Sequence, residues 1–398
     1  MKLIHSQKEA NEKLSAVKVG ALFMEPGTGK TLTVTELIKG IEGEKEVFWF
    51  TPFQTKSNLR AELDKWGGFE CDIIGTESLS NSDRLYLRLY SKIQTSLNPI
   101  IVVDESLKIK NSDAKRTKRL LSLSQMCAYK FILNGTPISR NLLDLWSQME
   151  FLSPLILNMS ETQFKNTFCE YLTTAYRTPN RGRSYSREFI RKYHNLDYLY
   201  SLIEPYVFES KLSISVGLQH INIDYHLSRD EIKEHERLKT KYLDDKMLLA
   251  RNNNIFLELT QKMQNNYSRS EEKFQIVKKL LRNDNPDRFL IYAKYIETQE
   301  MLKKRFPDVK VMSLGKHSYG LNLQHYNRIV VFDKTWDYAQ LDQLIHRVYR
   351  TGQKNDIIVY GLTSNAGLCS LMNGNIDKKG KLLQEFKVLS NERLKEIL

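Results

Sequence analysis

Apolar positions in the first 155 residues come as short unbroken runs rather than in alternation with polar ones. VGALF (19–23), VFWFTP (47–52), CDIIGT (71–76), IIVVDE (100–105) and YKFILNGT (129–136) are of strand length, and each leads into a polar helical segment. Continuous apolar runs of this kind are buried on both faces, the mark of parallel strands in a doubly wound sheet. From Ser160 to about Arg288 the strand signal nearly vanishes. Ser228 and Glu231 stand at capping-box spacing ahead of one long helix, and SEEKFQIVKKLL starts another at Ser270. Strand-like runs return at RFLIYAK (288–294), VKVMSL (309–314), RIVVFD (328–333) and DIIVYGL (356–362). The expected fold class is α/β: a first lobe over 1–155, a helical insert over 156–287, a second lobe over 288–365 and a helical tail over 366–398.

Composition narrows the class. At 398 residues the chain exceeds what one hydrophobic core usually spans, and 41% hydrophobic with 27% charged residues describes an ordinary folded protein. No apolar run approaches membrane-spanning length, so no membrane partner is expected. The start, MKLIHSQKEANEKL, lacks the apolar core of a secretory signal, and the expected place is the cytoplasm, or that of a host cell. Four widely spaced cysteines form no C-x-x-C pair and read as reduced thiols. A net charge of +13 suits a polyanionic partner, although lysine-rich solvated surfaces produce the same excess.

MEPGTGKT (24–31) joins an apolar run to a helical one, the strand–loop–helix context of a phosphate-binding loop. Pro26, Gly27, Thr28, Gly29, Lys30 and Thr31 are the candidate nucleotide-binding residues. The glycines let backbone N–H groups turn towards phosphate oxygens at the positive end of the following helix. Lys30 would neutralise the β- and γ-phosphates and Thr31 would ligate Mg²⁺. Met24 stands where the general pattern has its first glycine. IIVVDES (100–106) ends an apolar strand in two carboxylates, placing Asp104 near the metal and Glu105 where it could polarise an attacking water.

Longer segments resemble the Swi/Snf-like translocases of helicase superfamily two. VDESLKIKN (103–111) looks like that family's acidic motif, and LNGTPISRNLLDLWSQMEFLSP (133–154) is similar to its G-T-P-L-x-x-N-L-x-E-L-W segment. FDKTWDYAQLDQLIHRVYRTGQ (332–353) resembles D-x-x-W-N-P…Q-A-x-x-R-x-x-R-x-G-Q, with Arg347 and Arg350 spaced to share a helical face. Fainter matches are Leu3 with Gln7, Pro52 with Asn58-Leu59 and Trp66, Thr76-Glu77, and Gly320-Leu321-Asn322-Leu323.

The resemblance implies two RecA-like lobes that bind ATP and Mg²⁺ between them. Gln7 would hold the adenine. Lys30, Asp104, Glu105, Gln343, Arg347 and Arg350 would form the catalytic set, the two arginines reaching the γ-phosphate from the second lobe. Thr31 and Asp104 would hold the metal, and Pro52, Thr76, Gly135, Thr136, Asn322 and Trp336 would border the nucleic-acid groove. The chain departs from the family in D-E-S for D-E-A-H, in Asp337-Tyr338 for Asn-Pro, and in lacking a segment with a G-x-T-type motif, so the second lobe is expected to be shortened. Trp66 and Trp146 read as packing aromatics.

YLTTAYRTPNRGRSYSREFIRKYH (171–194) interleaves tyrosines with basic residues. Arg181, Arg183 and Arg187 are candidate contacts to nucleic acid, against an equal reading as a solvated basic hairpin. The expected function is an ATP-driven translocase on duplex DNA that displaces bound proteins. The alternatives are a strand-separating helicase on DNA or RNA, and a nucleic-acid-binding module with a degenerate ATPase.

Overall fold

The computed structural model describes residues 3–139, 141–177, 184–212, 215–243, 253–313, 323–335, 338–350, 352–365, 368–369, 372–374 and 376–377. The first sheet contains β1 (Val19–Met24), β2 (Glu46–Thr51), β3 (Asp72–Gly75), β4 (Pro99–Asp104) and β5 (Tyr129–Asn134), and a later strand joins it. That strand is β8 (Val207–Ser210), reached after a hairpin of β6 (Cys169–Arg177) and β7 (Ser184–Tyr193). The order is β3-β2-β4-β5-β1-β8, with every pairing parallel. The second sheet is built from β9 (Leu218–Tyr225), β10 (Phe289–Ala293), β11 (Lys310–Ser313), β12 (Arg328–Val331) and β13 (Ile357–Ser364). Its order is β11-β10-β12-β13-β9, also parallel throughout. The two sheets give the two doubly wound lobes expected.

Successive side chains of a strand point to opposite faces, so an unbroken apolar run feeds two cores at once. Phe48, Phe50, Ile101, Val103 and Ile132 pack into one core of the first lobe. Their alternates Val47, Trp49, Ile100, Val102, Phe131 and Leu133 pack into the other. Phe289, Ile291 and Val330, against Leu290, Tyr292 and Ile329, divide the second lobe in the same way. Among the described residues no helix is long and apolar enough to cross a membrane.

The stretch expected to be helical holds helices and four strands. The Ser228 cap is present: Glu231 N–H donates to Ser228 Oγ at 3.3 Å, and Ser228 N–H to Glu231 Oε2 at 2.7 Å. But β6 and β7 form an antiparallel hairpin, β8 completes the first sheet and β9 the second. These strands are hard to read because β8 and β9 are edge strands. LQHINIDY exposes part of both faces and carries polar residues there. The chain passes from the first sheet to the second between β8 and β9. Most of the expected helical tail lies outside the described residues.

Candidate active site

β1 delivers the chain into the phosphate loop, and the helix Lys30–Lys39 leaves it. Gly27 and Gly29 turn the loop with φ of 88° and 85°, a region that side chains resist. Gly29 is doubly constrained, because a Cβ there would lie 2.4 Å from Gln7 Nε2. Gln7 is buried; its amide donates to Thr28 O at 2.9 Å while its Oε1 accepts from Ile4 N–H at 3.1 Å. The expected adenine reader is thus also a brace under the loop. Thr28 Oγ1 closes the turn by donating to Glu25 O at 2.6 Å. The Lys30 ammonium donates to Met24 O at 2.9 Å, which holds it over the end of β1. Thr31 occupies the first turn of the helix.

Asp104 ends β4. Its Oδ1 accepts from Glu105 N–H at 3.0 Å and its Oδ2 from Thr51 Oγ1 at 3.3 Å. Burial pushes its carboxyl well above the usual carboxylate range, and the Glu105 charge pushes the same way against the pull of Lys30. Glu105 has φ 54°, ψ 57°, a left-handed conformation costing a residue with a side chain roughly 1–3 kcal/mol. Such strain persists only where the surroundings impose it. Here a buried polar net lies directly beneath. Ser106 Oγ donates to Gln148 Oε1 at 2.5 Å, and Asn134 Nδ2 donates to Ser106 Oγ at 3.2 Å. Thr136 N–H donates to Asn134 Oδ1 at 3.0 Å, and Gln148 Nε2 to Pro137 O at 2.9 Å. One buried hydrogen-bond net therefore joins the acidic motif to the G-T-P turn. Gly135 also seats against the phosphate loop, where a Cβ would meet Pro26 Cδ at 2.7 Å.

From the second lobe, Gln343 Nε2 donates to Glu105 Oε2 at 3.0 Å, so the arginine segment faces the acidic pair. The helix Tyr338–Ile345 stops before the arginines, which corrects the shared helical face expected for them. Arg347 and Arg350 stand in the turns that follow, with Val348 N–H and Tyr349 N–H bonded to Ile345 O at 3.0 and 2.9 Å. A buried Arg350 Nε has no acceptor among the described residues. Gln353 fixes the end of the segment: its amide donates to Gln324 O and Tyr326 O, each at 2.9 Å, and its Oε1 accepts from Lys354 and Asn355 N–H at 2.9 and 3.0 Å.

The candidate groove residues divide. Pro52, Thr76, Gly135 and Thr136 are buried, and the Thr76 and Thr136 hydroxyls have no partner among the described residues. Asn322, Trp336, Arg181 and Arg183 lie outside the described residues, and of Arg187 only the backbone, in β7, is described. Ser106, Asn134, Gln148 and Glu25 escape sequence reasoning, because their partners are remote in the chain and no local pattern marks them.

Among the described residues no group of three or more His, Cys, Asp or Glu could hold a metal ion unaided, and all four cysteines are free. Thr31 with Asp104 is nonetheless a donor set that suits Mg²⁺, which binds through one or two protein oxygens and takes the rest from phosphates and water.

A family model described as SNF2-related domain matches residues 73–305, more than half of the chain. DNA repair and recombination protein RAD54B of Gallus gallus is 31% identical over 174 residues, which cover 37% of this chain and 19% of that protein. An uncharacterized ATP-dependent helicase of Mycoplasma pneumoniae is 23% identical over 338 residues, 74% of this chain and 32% of its own length. The Sulfolobus solfataricus SWI2/SNF2 ATPase core in complex with dsDNA is 19% identical, with a TM-score of 0.44 over 92% of this chain and 88% of that one. The chain thus spans about a fifth of the RAD54B protein's length. The family match begins in β3, runs through the acidic motif, the G-T-P turn and β8, and continues into the second sheet past β10, and on that span the chain belongs to the SNF2-related family.

Proposed function

We propose that the chain hydrolyses ATP in the cleft between its lobes and uses the cycle to move along duplex DNA. The observation that carries this reading is the 3.0 Å bond from Gln343 to Glu105, which brings the arginine segment of one lobe to the acidic pair of the other. In the reaction, the Gly27–Gly29 turn and the helix start bind the β- and γ-phosphates, with Lys30 beside them. Thr31 and Asp104 would hold Mg²⁺, which would supply neutralisation of phosphate charge. Glu105, held by the residues packed beneath it, orients the attacking water and accepts its proton as the water oxygen bonds to the γ-phosphorus and the bond to the bridging β-phosphate oxygen breaks, releasing ADP. Arg347 and Arg350 stabilise the charge that spreads over the transferred phosphoryl group, and such donors are worth about 10³–10⁵ in rate. Because those donors belong to the other lobe, hydrolysis depends on closure, and closure alternates grip on the strand. Motion results only if the ATP and product states hold DNA differently. The name of a relative in DNA repair and recombination supports DNA as the partner, and the +13 charge is of the right sign.

The test is ATP turnover by the purified chain with duplex DNA, single-stranded DNA or RNA at one salt concentration. Stimulation by the duplex above the other two is expected, followed by triplex displacement in a translocation assay. Stimulation chiefly by single strands or RNA would replace this reading with a helicase. Lys30→Ala should abolish nucleotide binding. Glu105→Gln should keep ATP bound while turnover falls by about 10² or more.

A further inference from the structure

Glu25, which precedes the glycines of the phosphate loop, meets three parts of the molecule. Its own N–H donates to Ser210 O at 2.9 Å, at the end of β8. Its Oε2 accepts from Leu212 N–H at 2.8 Å, in the first residues of the linker that carries the chain to β9. The same oxygen is 3.8 Å from His346 Nε2 of the second lobe. His346 directly precedes Arg347. Its Nδ1 edge faces its own segment, 3.0 Å from Asp342 O and 3.5 Å from Asp342 Oδ1, and its Nε2 edge faces Glu25. The two side chains are mostly enclosed, 11% and 18% exposed.

We propose that Glu25 and His346 form a positioning pair that sets the arginine segment against the phosphate loop through the interlobe linker. The linker tether ties Glu25 to the path between lobes, and the His346 contact ties that path to the arginines. Loading the phosphate loop and seating Arg347 and Arg350 are then one event. This inference rests on reading the cleft as an ATPase, yet it makes a claim about lobe geometry that holds without turnover.

The experiment uses the full chain with saturating duplex DNA, comparing Glu25→Gln, His346→Gln, the double variant and His346→Lys. Glu25→Gln keeps an acceptor for Leu212 N–H and removes the charge facing His346. Each single variant should lower kcat about tenfold with KM within about twofold, and the double should be no worse than either single. His346→Lys puts a strong donor opposite the Glu25 carboxylate and should recover kcat to within about threefold of the parent. Losses that multiply in the double variant, a change in KM alone, or a lysine variant as poor as the glutamine one would overturn the pairing. A second readout is the distance distribution between spin labels on Thr95→Cys and Lys303→Cys, one on each lobe, without nucleotide, in a chain whose four native cysteines are replaced by serine and whose turnover matches the parent. It should broaden equally in Glu25→Gln and His346→Gln. A parent that hydrolyses ATP while these distributions stay unchanged refutes the pair. Broadening in a chain that hydrolyses nothing keeps the pair and refutes the ATPase reading.

Discussion

Gly135 lacks a side chain because Pro26 leaves no room for one, a Cβ there falling 2.7 Å from Pro26 Cδ. Proline cannot swing aside, since its ring is locked to the backbone. Gly135→Ala must therefore push the phosphate loop and the G-T-P turn apart. Overpacking of this kind costs about 1–3 kcal/mol, and about 1.4 kcal/mol spent on the bound geometry is a tenfold loss of nucleotide affinity. Titration with a fluorescent ATP analogue should show about tenfold weaker binding for Gly135→Ala. Gly374→Ala, which meets nothing within 4 Å, should bind as the parent does. Binding unchanged in Gly135→Ala would mean that the two loops do not bear on each other. The glycine itself is visible in the sequence as part of G-T-P. The reason for it is not, because Pro26 lies 109 positions away and only the β1–β5 pairing brings them together.

At the scale of elements, sequence reading succeeds where burial is two-sided and fails where it is one-sided. β4 is found from Ile100-Ile101-Val102-Val103 alone, since each of those side chains must leave water on one face or the other. β9 is missed because an edge strand satisfies its hydrogen bonds along one side only and can carry Gln219, His220 and Asn222. Nor does local pattern reveal the contact between the helix Glu271–Asn283 and the residues that follow β12. Lys273 of that helix donates to Asp333 Oδ1 at 3.0 Å, the two side chains being 3% and 5% exposed. Burial lowers the lysine's proton affinity while Asp333 opposes the shift, and Asp333 Oδ2 also accepts from Lys294 N–H at 2.8 Å. Lys273 further lies 4.0 Å from the centre of the Phe332 ring. Removing the cation leaves a buried carboxylate without its partner, a change that typically costs about 3–5 kcal/mol. Lys273→Met should lower the denaturant midpoint of the second lobe accordingly, with Lys273→Met/Asp333→Leu recovering part of the loss. Equal midpoints for parent and single variant would show that solvent already reaches the pair.

For the whole molecule, the decisive contacts are those between lobes, and they are the least legible. The arginine segment, the acidic pair and the phosphate loop can each be found as motifs. That Gln343 touches Glu105, or that His346 faces Glu25, follows only once both sheets are folded. The proposed nucleic-acid surface sits at the opposite limit, where composition says more than geometry. The hairpin β6–β7 is anchored at its base by His194 N–H to Phe168 O at 3.0 Å and by Glu170 with Arg191 and His194 at 3.1 and 3.0 Å. Beyond that base its sequence carries Arg181, Arg183 and Arg187, and a two-stranded ribbon fits the major groove of a duplex. If each arginine meets one phosphate, each releases counterions and contributes about 0.9 to the slope of log affinity against log salt. Replacing all three with alanine should then flatten the slope on duplex DNA by up to about 2.7, weakening binding most at low salt and alike for unrelated sequences. A melting curve matching the parent keeps folding out of the comparison. Loss of affinity with an unchanged slope would assign the hairpin to base or shape contacts. No loss at all would leave it a solvated ribbon and move the search for the groove to the lobes themselves.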